Sequence, residues 1–180
     1  ILVNGKPTRE QGIFSLGKTV GYVFQNPDHH IFSEKVFDEV AFSPRLRKLP
    51  EEEIKQRVLE ALSAVGLEGL EEEDPFTLTK SGRQRVAVAS VLASNPDVLI
   101  LDEPTTGLDY SEQSSMMNMV RRLNENGSTI IFITHHMWVV AEYAKRAFVM
   151  KDGDVILEGS TREVFSHSEV LRDAFLRPPH

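Results

Sequence analysis

Apolar and polar positions change period several times along the chain, and each change predicts an element. Between Pro50 and Gly66 the apolar residues Ile54, Val58, Leu62 and Val65 recur at helical spacing and form one stripe. Pro50 suits a first turn, Glu51, Glu52 and Glu53 suit the positive end of a helix dipole, and Gly66 can end the helix. Val98–Leu101 and Thr129–Ile133 are unbroken apolar runs, which predict strands buried on both faces of a parallel sheet. Val20–Phe24 predicts another strand, closed by the breaker Asn26-Pro27, and Ile1–Val3 a strand end closed by Asn4-Gly5. Helices are expected over Arg83–Ser94, from about Ser111 to Asn126, and over Met137–Ala144, with short helices and loops in 28–49. Ala147–Met150 and Val155–Leu157 flank Lys151-Asp152-Gly153-Asp154 and predict a hairpin. Ser160-Thr161-Arg162-Glu163 has the form of a capping box opening a C-terminal helix, in which Phe165, Leu171, Phe175 and Leu176 are expected to pack. Strands alternating with helices give the fold class: α/β with a mainly parallel sheet.

Composition narrows the function classes. The formal net charge of −7 argues against a nucleic-acid protein, which normally carries a basic face. With no cysteine, a disulfide framework and a thiolate metal site are both excluded. No apolar run reaches the 18 residues of a membrane-spanning helix. The acidic run Glu71–Asp74 is expected to be a solvated loop rather than a cation site. The pairs His29-His30 and His135-His136 lack an evident third ligand, so metal binding is not expected there. The chain opens on Ile1 in what looks like mid-strand, which predicts a cut end.

The chemistry concentrates at Asp102-Glu103, two carboxylates at the C-terminal end of an apolar strand, where open α/β sheets place ligands. A strand-end Asp can hold Mg²⁺ against nucleotide phosphates, and the adjacent Glu could orient and deprotonate an attacking water. An isolated Asp-Glu pair would more often be two exposed acids at a strand–loop junction. The surrounding residues reverse that judgement: Ala93 to Asp109 reads ASNPDVLILDEPTTGLD and closely resembles the ABC ATPases. The resemblance implies a P-loop NTPase fold of ABC type with a helical subdomain, an ATP- and Mg²⁺-dependent hydrolase, and the following roles. Asp102 is the Mg²⁺-linked carboxylate, Glu103 the general base and Asp109 the D-loop Asp, contacting nucleotide. Ile131-Phe132-Ile133-Thr134-His135 resembles the strand ending in the switch histidine, making His135 a contact of the γ-phosphate. Val23-Phe24-Gln25-Asn26-Pro27 resembles the Q-loop, whose Gln25 would reach Mg²⁺ and the attacking water.

Gln25 to Glu34 and Val36 to Phe42 further resemble the energy-coupling-factor importers, cobalt and nickel members included. That implies a partner ATPase subunit, identical or different, a transmembrane coupling subunit docked on residues 28–80, and a peripheral location on the cytoplasmic face of the membrane. Residues 83–150 would then carry the catalytic core and 151–180 a C-terminal hairpin and helix. Phe32, Val36 and Phe37 in the docking block also suit plain core packing.

Three departures stand out. The family's signature loop appears as Leu78-Thr79-Lys80-Ser81-Gly82, with Thr79, Lys80, Ser81 and Gly82 the expected contacts to ATP held by the opposite subunit. Ser81 stands where a close-approach glycine is expected, so its Cβ is predicted to obstruct the phosphate or forbid the backbone angle. His136 replaces the usual Asp after the switch histidine, with little expected effect. Gly12 to Thr19 satisfies the pattern G-x-x-x-x-G-K-[ST], yet polar residues precede it and a strand follows, the reverse of a working phosphate loop. The match is therefore predicted to be accidental, the true loop to precede Ile1, and this stretch alone not to hydrolyse ATP. A truncated or degenerate subunit that pairs with an active partner is the competing reading.

Overall fold

The computed structural model describes residues 1–177. It contains two compact units, Ile1–Ile133 and the residues from Thr134 onward, each taken separately below.

The first unit is built on a three-stranded parallel sheet of order β3-β4-β5, with β3 at Val20–Val23, β4 at Val98–Asp102 and β5 at Thr129–Ile133. The register pairs Tyr22 with Ile100, Val23 with Leu101 and Asp102 with Ile133, so all three strands end on one edge. Leu99 and Leu101 of β4 are buried, whereas Val98 and Ile100 are half-buried, so the strand is covered unequally on its two faces. β5 departs further from the buried strand predicted: Ile131 and Ile133 are 50% and 49% exposed. It pairs on one side only, and its apolar run identifies a strand without specifying what covers each face. A short antiparallel pair, β1 (Leu2–Val3) and β2 (Lys6–Pro7), and helix α1 (Ile13–Thr19) precede the sheet.

Three helices fill the long connection between β3 and β4: α2 (Val36–Leu46), α3 (Glu51–Val65) and α4 (Lys80–Leu92). They pack against one another through Val36, Val40, Ile54, Val58, Leu62 and Val86, all essentially inaccessible. α3 stops where predicted because Gly66 adopts φ +73, allowing its N–H to reach Ser63 O and that of Leu67 to reach Leu62 O. β3 in turn lies so close to α4 that a Cβ on Gly21 would overlap Val91 Cγ1. Helix α5 (Tyr110–Glu125) buries Met116, Met117, Met119, Val120 and Leu123 and packs beside β5.

The second unit contains α6 (Met137–Tyr143), the hairpin β6 (Arg146–Lys151) and β7 (Asp154–Ser160), then α7 (Thr161–Ser166) and α8 (Ser168–Asp173). The predicted capping box is present, with Ser160 and Glu163 exchanging side-chain and backbone bonds. Val149, Val164 and Leu171 form the core, with Phe165 and Leu176 packed against it. Phe175 does not join them: it is 92% exposed. Its φ of +60 turns the ring outward while Leu176 N reaches back to Leu171 O at 2.8 Å, a helix stop that spends Phe175 on the turn.

Candidate functional site

β4 delivers Asp102 and Glu103 to the C-terminal edge of the sheet, both half-buried. Glu103 takes a φ of +44, an uncommon conformation for a side-chain-bearing residue. Its N–H donates to Ile133 O at 2.9 Å, and Thr106 Oγ1 donates to its Oε2 at 3.2 Å. The chain therefore turns sharply after Asp102 and presents two adjacent carboxylates in different directions. Asp102 accepts a 2.7 Å hydrogen bond on Oδ2 from the Tyr22 hydroxyl. That bond, reinforced by burial, pushes the Tyr22 hydroxyl above its ordinary value, because the phenolate could not donate to a carboxylate.

Gln25 lies two residues past β3, on the same edge of the sheet, and is exposed. Asn26 Oδ1 accepts from Asp28 N at 3.1 Å and caps the 3-10 turn Pro27–His29 that follows. Thr79 is the N-cap of α4, its Oγ1 accepting from Gly82 N at 3.1 Å, so Thr79 and Lys80 are exposed at the positive end of a 13-residue helix. Ser81 and Gly82 lie in the first turn. Ser81 is buried and shows no positive φ, so its backbone carries no sign of the strain expected from replacing a glycine. The Lys80 side chain lies over Gly107, where a Cβ would overlap Nζ. Asp109 caps α5 in a reciprocal box with Glu112: Oδ1 accepts from Glu112 N at 2.8 Å, and Asp109 N donates to Glu112 Oε2 at 3.2 Å. In the second unit His135 is exposed, its ring 4.3 Å from that of His136, which N-caps α6.

Gly12 to Thr19 forms no strand–loop–helix. Gly17, Lys18 and Thr19 close the C-terminal turn of α1 and run directly into β3. A phosphate there would meet carbonyl groups and the negative end of the dipole. The helix itself was not anticipated, although the strand after it was.

The structure gives partners to three residues for which the sequence predicted none. Tyr22 is one. Glu39 on α2 is another, 2% exposed and accepting from Phe32 N and Ser33 N on Oε2, both at 3.0 Å. The third is His30, whose Nε2 lies 2.9 Å from Ser90 Oγ. Ser90 Oγ already donates to Ala87 O, which makes His30 Nε2–H the donor and leaves Nδ1 buried without a partner. Burial lowers the His30 pKa, and Glu39 partly opposes the shift. Side chains brought together across 7 to 80 residues by packing leave no local signal, so only the structure reveals them.

The donor set suits a magnesium nucleotide. Mg²⁺ prefers hard oxygen ligands and one or two carboxylates beside phosphates, and Asp102 offers Oδ1 with Oδ2 already engaged.

Comparison with known proteins points the same way. The family described as ABC transporter matches residues 1–106. The chain is 57% identical over 179 residues to a protein of Caldanaerobacter subterraneus subsp. tengcongensis provisionally named an ABC transporter ATP-binding protein, covering 99% of this chain and 32% of that protein. It is 46% identical to the energy-coupling factor transporter ATP-binding protein EcfA of Methanocaldococcus jannaschii, covering 99% of this chain and 65% of the relative. The chain thus spans from about a third to just under two thirds of these relatives' length. Among solved structures, cbiO1 of Clostridium perfringens, part of the ABC transporter complex cbiONQ, superposes with a TM-score of 0.85 at 42% identity, covering 96% of this chain and 70% of that one. A dimeric ATP-binding cassette in a post-hydrolysis state, bound to ADP and Pi, superposes with a TM-score of 0.73 at 30% identity, covering 89% and 72%.

Proposed function

The chain belongs to the ABC transporter ATP-binding family, whose members bind ATP, and on that footing we propose that it contributes the hydrolytic edge of an ATPase subunit powering an importer of the energy-coupling-factor type. The observation that carries this reading is the turn at the end of β4, where Asp102 and the left-handed Glu103 place two carboxylates at the strand edge. In this reading Asp102 is the ligand of Mg²⁺, which would neutralise charge on the phosphate oxygens. Glu103, its Oε2 held by Thr106, orients the attacking water and takes its proton. Gln25 reaches toward the same water and Mg²⁺, and His135 donates a hydrogen bond to the γ-phosphate. Thr79, Lys80, Ser81 and Gly82 form the loop that faces the γ-phosphate of an ATP on a second ATPase subunit, the Thr79 hydroxyl donating while its oxygen accepts from Gly82 N, with Asp109 lining that interface.

The proposed membrane partner is a transmembrane coupling subunit docked on residues 28–80, at the cytoplasmic face. The exposed, edge-packed aromatics Phe32 and Phe42, with ring centroids 4.8 Å apart, support docking on that block. Among the described residues no helix is long and apolar enough to cross a membrane.

Replacing Glu103 by Gln tests the reading. In the ATPase assembled with its partner subunit and carrying a working phosphate loop, Mg-ATP binding should persist while hydrolysis falls at least about 100-fold, the scale of a lost general base; unchanged hydrolysis would sink the assignment. A second reading, a non-catalytic subunit paired with an active one, draws support from Gly17–Thr19 ending a helix. Calorimetric titration of Mg-ATP into the chain and its Lys18→Ala variant separates the possibilities, since tight binding lost with Lys18 would make Gly12–Thr19 a real phosphate loop.

A further inference from the structure

We propose that Tyr22 is a positioning residue for Asp102, committing Oδ2 to its hydroxyl and reserving Oδ1 for the metal of a nucleotide–metal complex. The inference rests on the reading of Asp102 as the metal-linked carboxylate. The parallel register pairs Tyr22 with Ile100, and side chains two residues apart on a strand share a face. Asp102 therefore lies diagonally ahead of Tyr22 on one face, and the tyrosine reaches across to donate at 2.7 Å. The ring is braced by Phe24, edge-on at 5.2 Å, so the hydroxyl is aimed rather than loose.

The bond has little to do with holding the fold. Tyr22 is 39% exposed and its hydroxyl lies at the solvent-facing strand edge, where a hydrogen bond adds little net stability. Its consequence is orientational. A carboxylate at a strand end can present either oxygen by rotating about its terminal torsion, which is broad and roughly two-fold. A donor on Oδ2 removes that choice, as partners behind a metal ligand do. The position lies three residues before Gln25, so the strand that leads to the Q-loop also presets the carboxylate on its neighbour.

The test is Tyr22→Phe in the full chain, which removes one oxygen and keeps the ring. Mn²⁺ serves as the probe, titrated by electron paramagnetic resonance in the presence of a non-hydrolysable ATP analogue. Nucleotide binding in EDTA and the thermal midpoint are measured in parallel, with Asp102→Asn as the reference. The expected result is Mn²⁺ affinity weakened about 3- to 10-fold, below the roughly 10- to 100-fold loss typical of stronger supporting contacts, with metal-free nucleotide binding and melting unchanged. If Asp102→Asn weakens Mn²⁺ binding and Tyr22→Phe does not, the role given to Tyr22 is wrong. If Tyr22→Phe lowers the melting point and metal-free binding equally, the contact is structural and the proposal falls. If Asp102→Asn leaves Mn²⁺ affinity intact, the metal-ligand reading of Asp102 fails first and takes the proposal with it.

Discussion

Arg83 donates from Nε to Asp28 at 2.6 Å and from Nη1 to the Leu78 carbonyl at 2.7 Å, so one guanidinium ties the turn after Gln25 to the start of α4. A second tether runs seven residues along the same helix, where Ser90 meets His30 at 2.9 Å. Seven residues make nearly two helical turns, so both contacts lie on one face of α4. The segment carrying Gln25 and the helix headed by Thr79 are therefore joined through named side chains.

Removing that join should be measurable. Arg83→Ala is expected to cost about 1–2 kcal/mol in urea unfolding, the range for charge-assisted bonds to partly buried partners. Asp28→Ala should cost less, because Asp28 is nearly half exposed and its pairing is screened by water. A double-mutant cycle should return a coupling of about 0.5–1 kcal/mol. Coupling indistinguishable from zero would show that the two groups do not interact in solution.

Glu39 predicts a larger loss. Its carboxylate satisfies two backbone N–H groups of the turn at 32–33, so Glu39→Ala deprives both of their acceptor and leaves a void where the buried side chain lay. The expected destabilisation is about 2–4 kcal/mol, against about 1 kcal/mol for Glu39→Gln, whose amide oxygen can still accept. Equal effects from the two substitutions in chemical denaturation would mean that the charge, not the acceptor, is what the site requires.

The strands β3, β4 and β5, α3 and the hairpin were legible because each has a local cause: an unbroken apolar run, a 3.6-residue stripe ending in Gly66, or an Asp-Gly turn, whereas β2, the polar pair Lys6–Pro7, was not expected to be a strand. The Asp102-Glu103 edge was legible because it is contiguous in sequence. Glu39 was not, since Asp38-Glu39 looks like any polar stretch of a helix until the turn at 32–33 folds over it. Tyr22 was hidden because the β3–β4 register, spanning nearly 80 residues, decides which residue it faces. The exposure of Ile131 and Ile133 was misjudged because apolarity identifies a strand but not whether its neighbours cover both faces. Phe175 was misplaced because a left-handed turn overrode the hydrophobic preference of its ring.

His30 gives a pH dependence with a definite sign. Burial lowers its pKa in the fold below the ordinary value of 6.5, so between those two values the unfolded chain binds more protons. Its contribution is fully present above pH about 6.5 and is lost as pH falls through the lowered folded value. The unpartnered Nδ1 has the same consequence, because protonating it would create a buried donor with no acceptor. Urea midpoints from pH 8 to pH 5 should fall below pH about 6.5, by at most about 1.4 kcal/mol per pH unit for one proton. In His30→Gln that fall should be shallower; an identical profile would place the titrating group elsewhere.

The approach of β3 to α4 leaves no room for a side chain at Gly21. A Cβ there would overlap Val91 Cγ1 and lie 3.0 Å from Pro96 Cγ. Gly21→Ala should therefore destabilise by about 1–3 kcal/mol through overpacking. Adding Val91→Ala opens the space and should restore much of that loss, a sign of coupling that independent sites would not show. Thermal melts of the two single variants and the double variant decide it: a double variant that simply sums the singles would contradict the packing.

Thr79 lets the helix cap and the proposed phosphate contact be separated. Its Oγ1 accepts from Gly82 N, which leaves the hydroxyl hydrogen able to donate to an anion at the head of α4. Thr79→Ser should keep both properties and near-normal ATPase activity in the ATPase assembled with its partner subunit. Thr79→Val loses both, and should cost about 1 kcal/mol in stability as well as activity. Thr79→Asp is the decisive variant, since aspartate caps as well as threonine and interacts favourably with the dipole. It should leave stability equal or slightly raised while repelling a phosphate, so ATPase activity should drop at least about tenfold at unchanged melting temperature. If Thr79→Asp remains fully active, Thr79 serves only as a cap and the phosphate lies elsewhere.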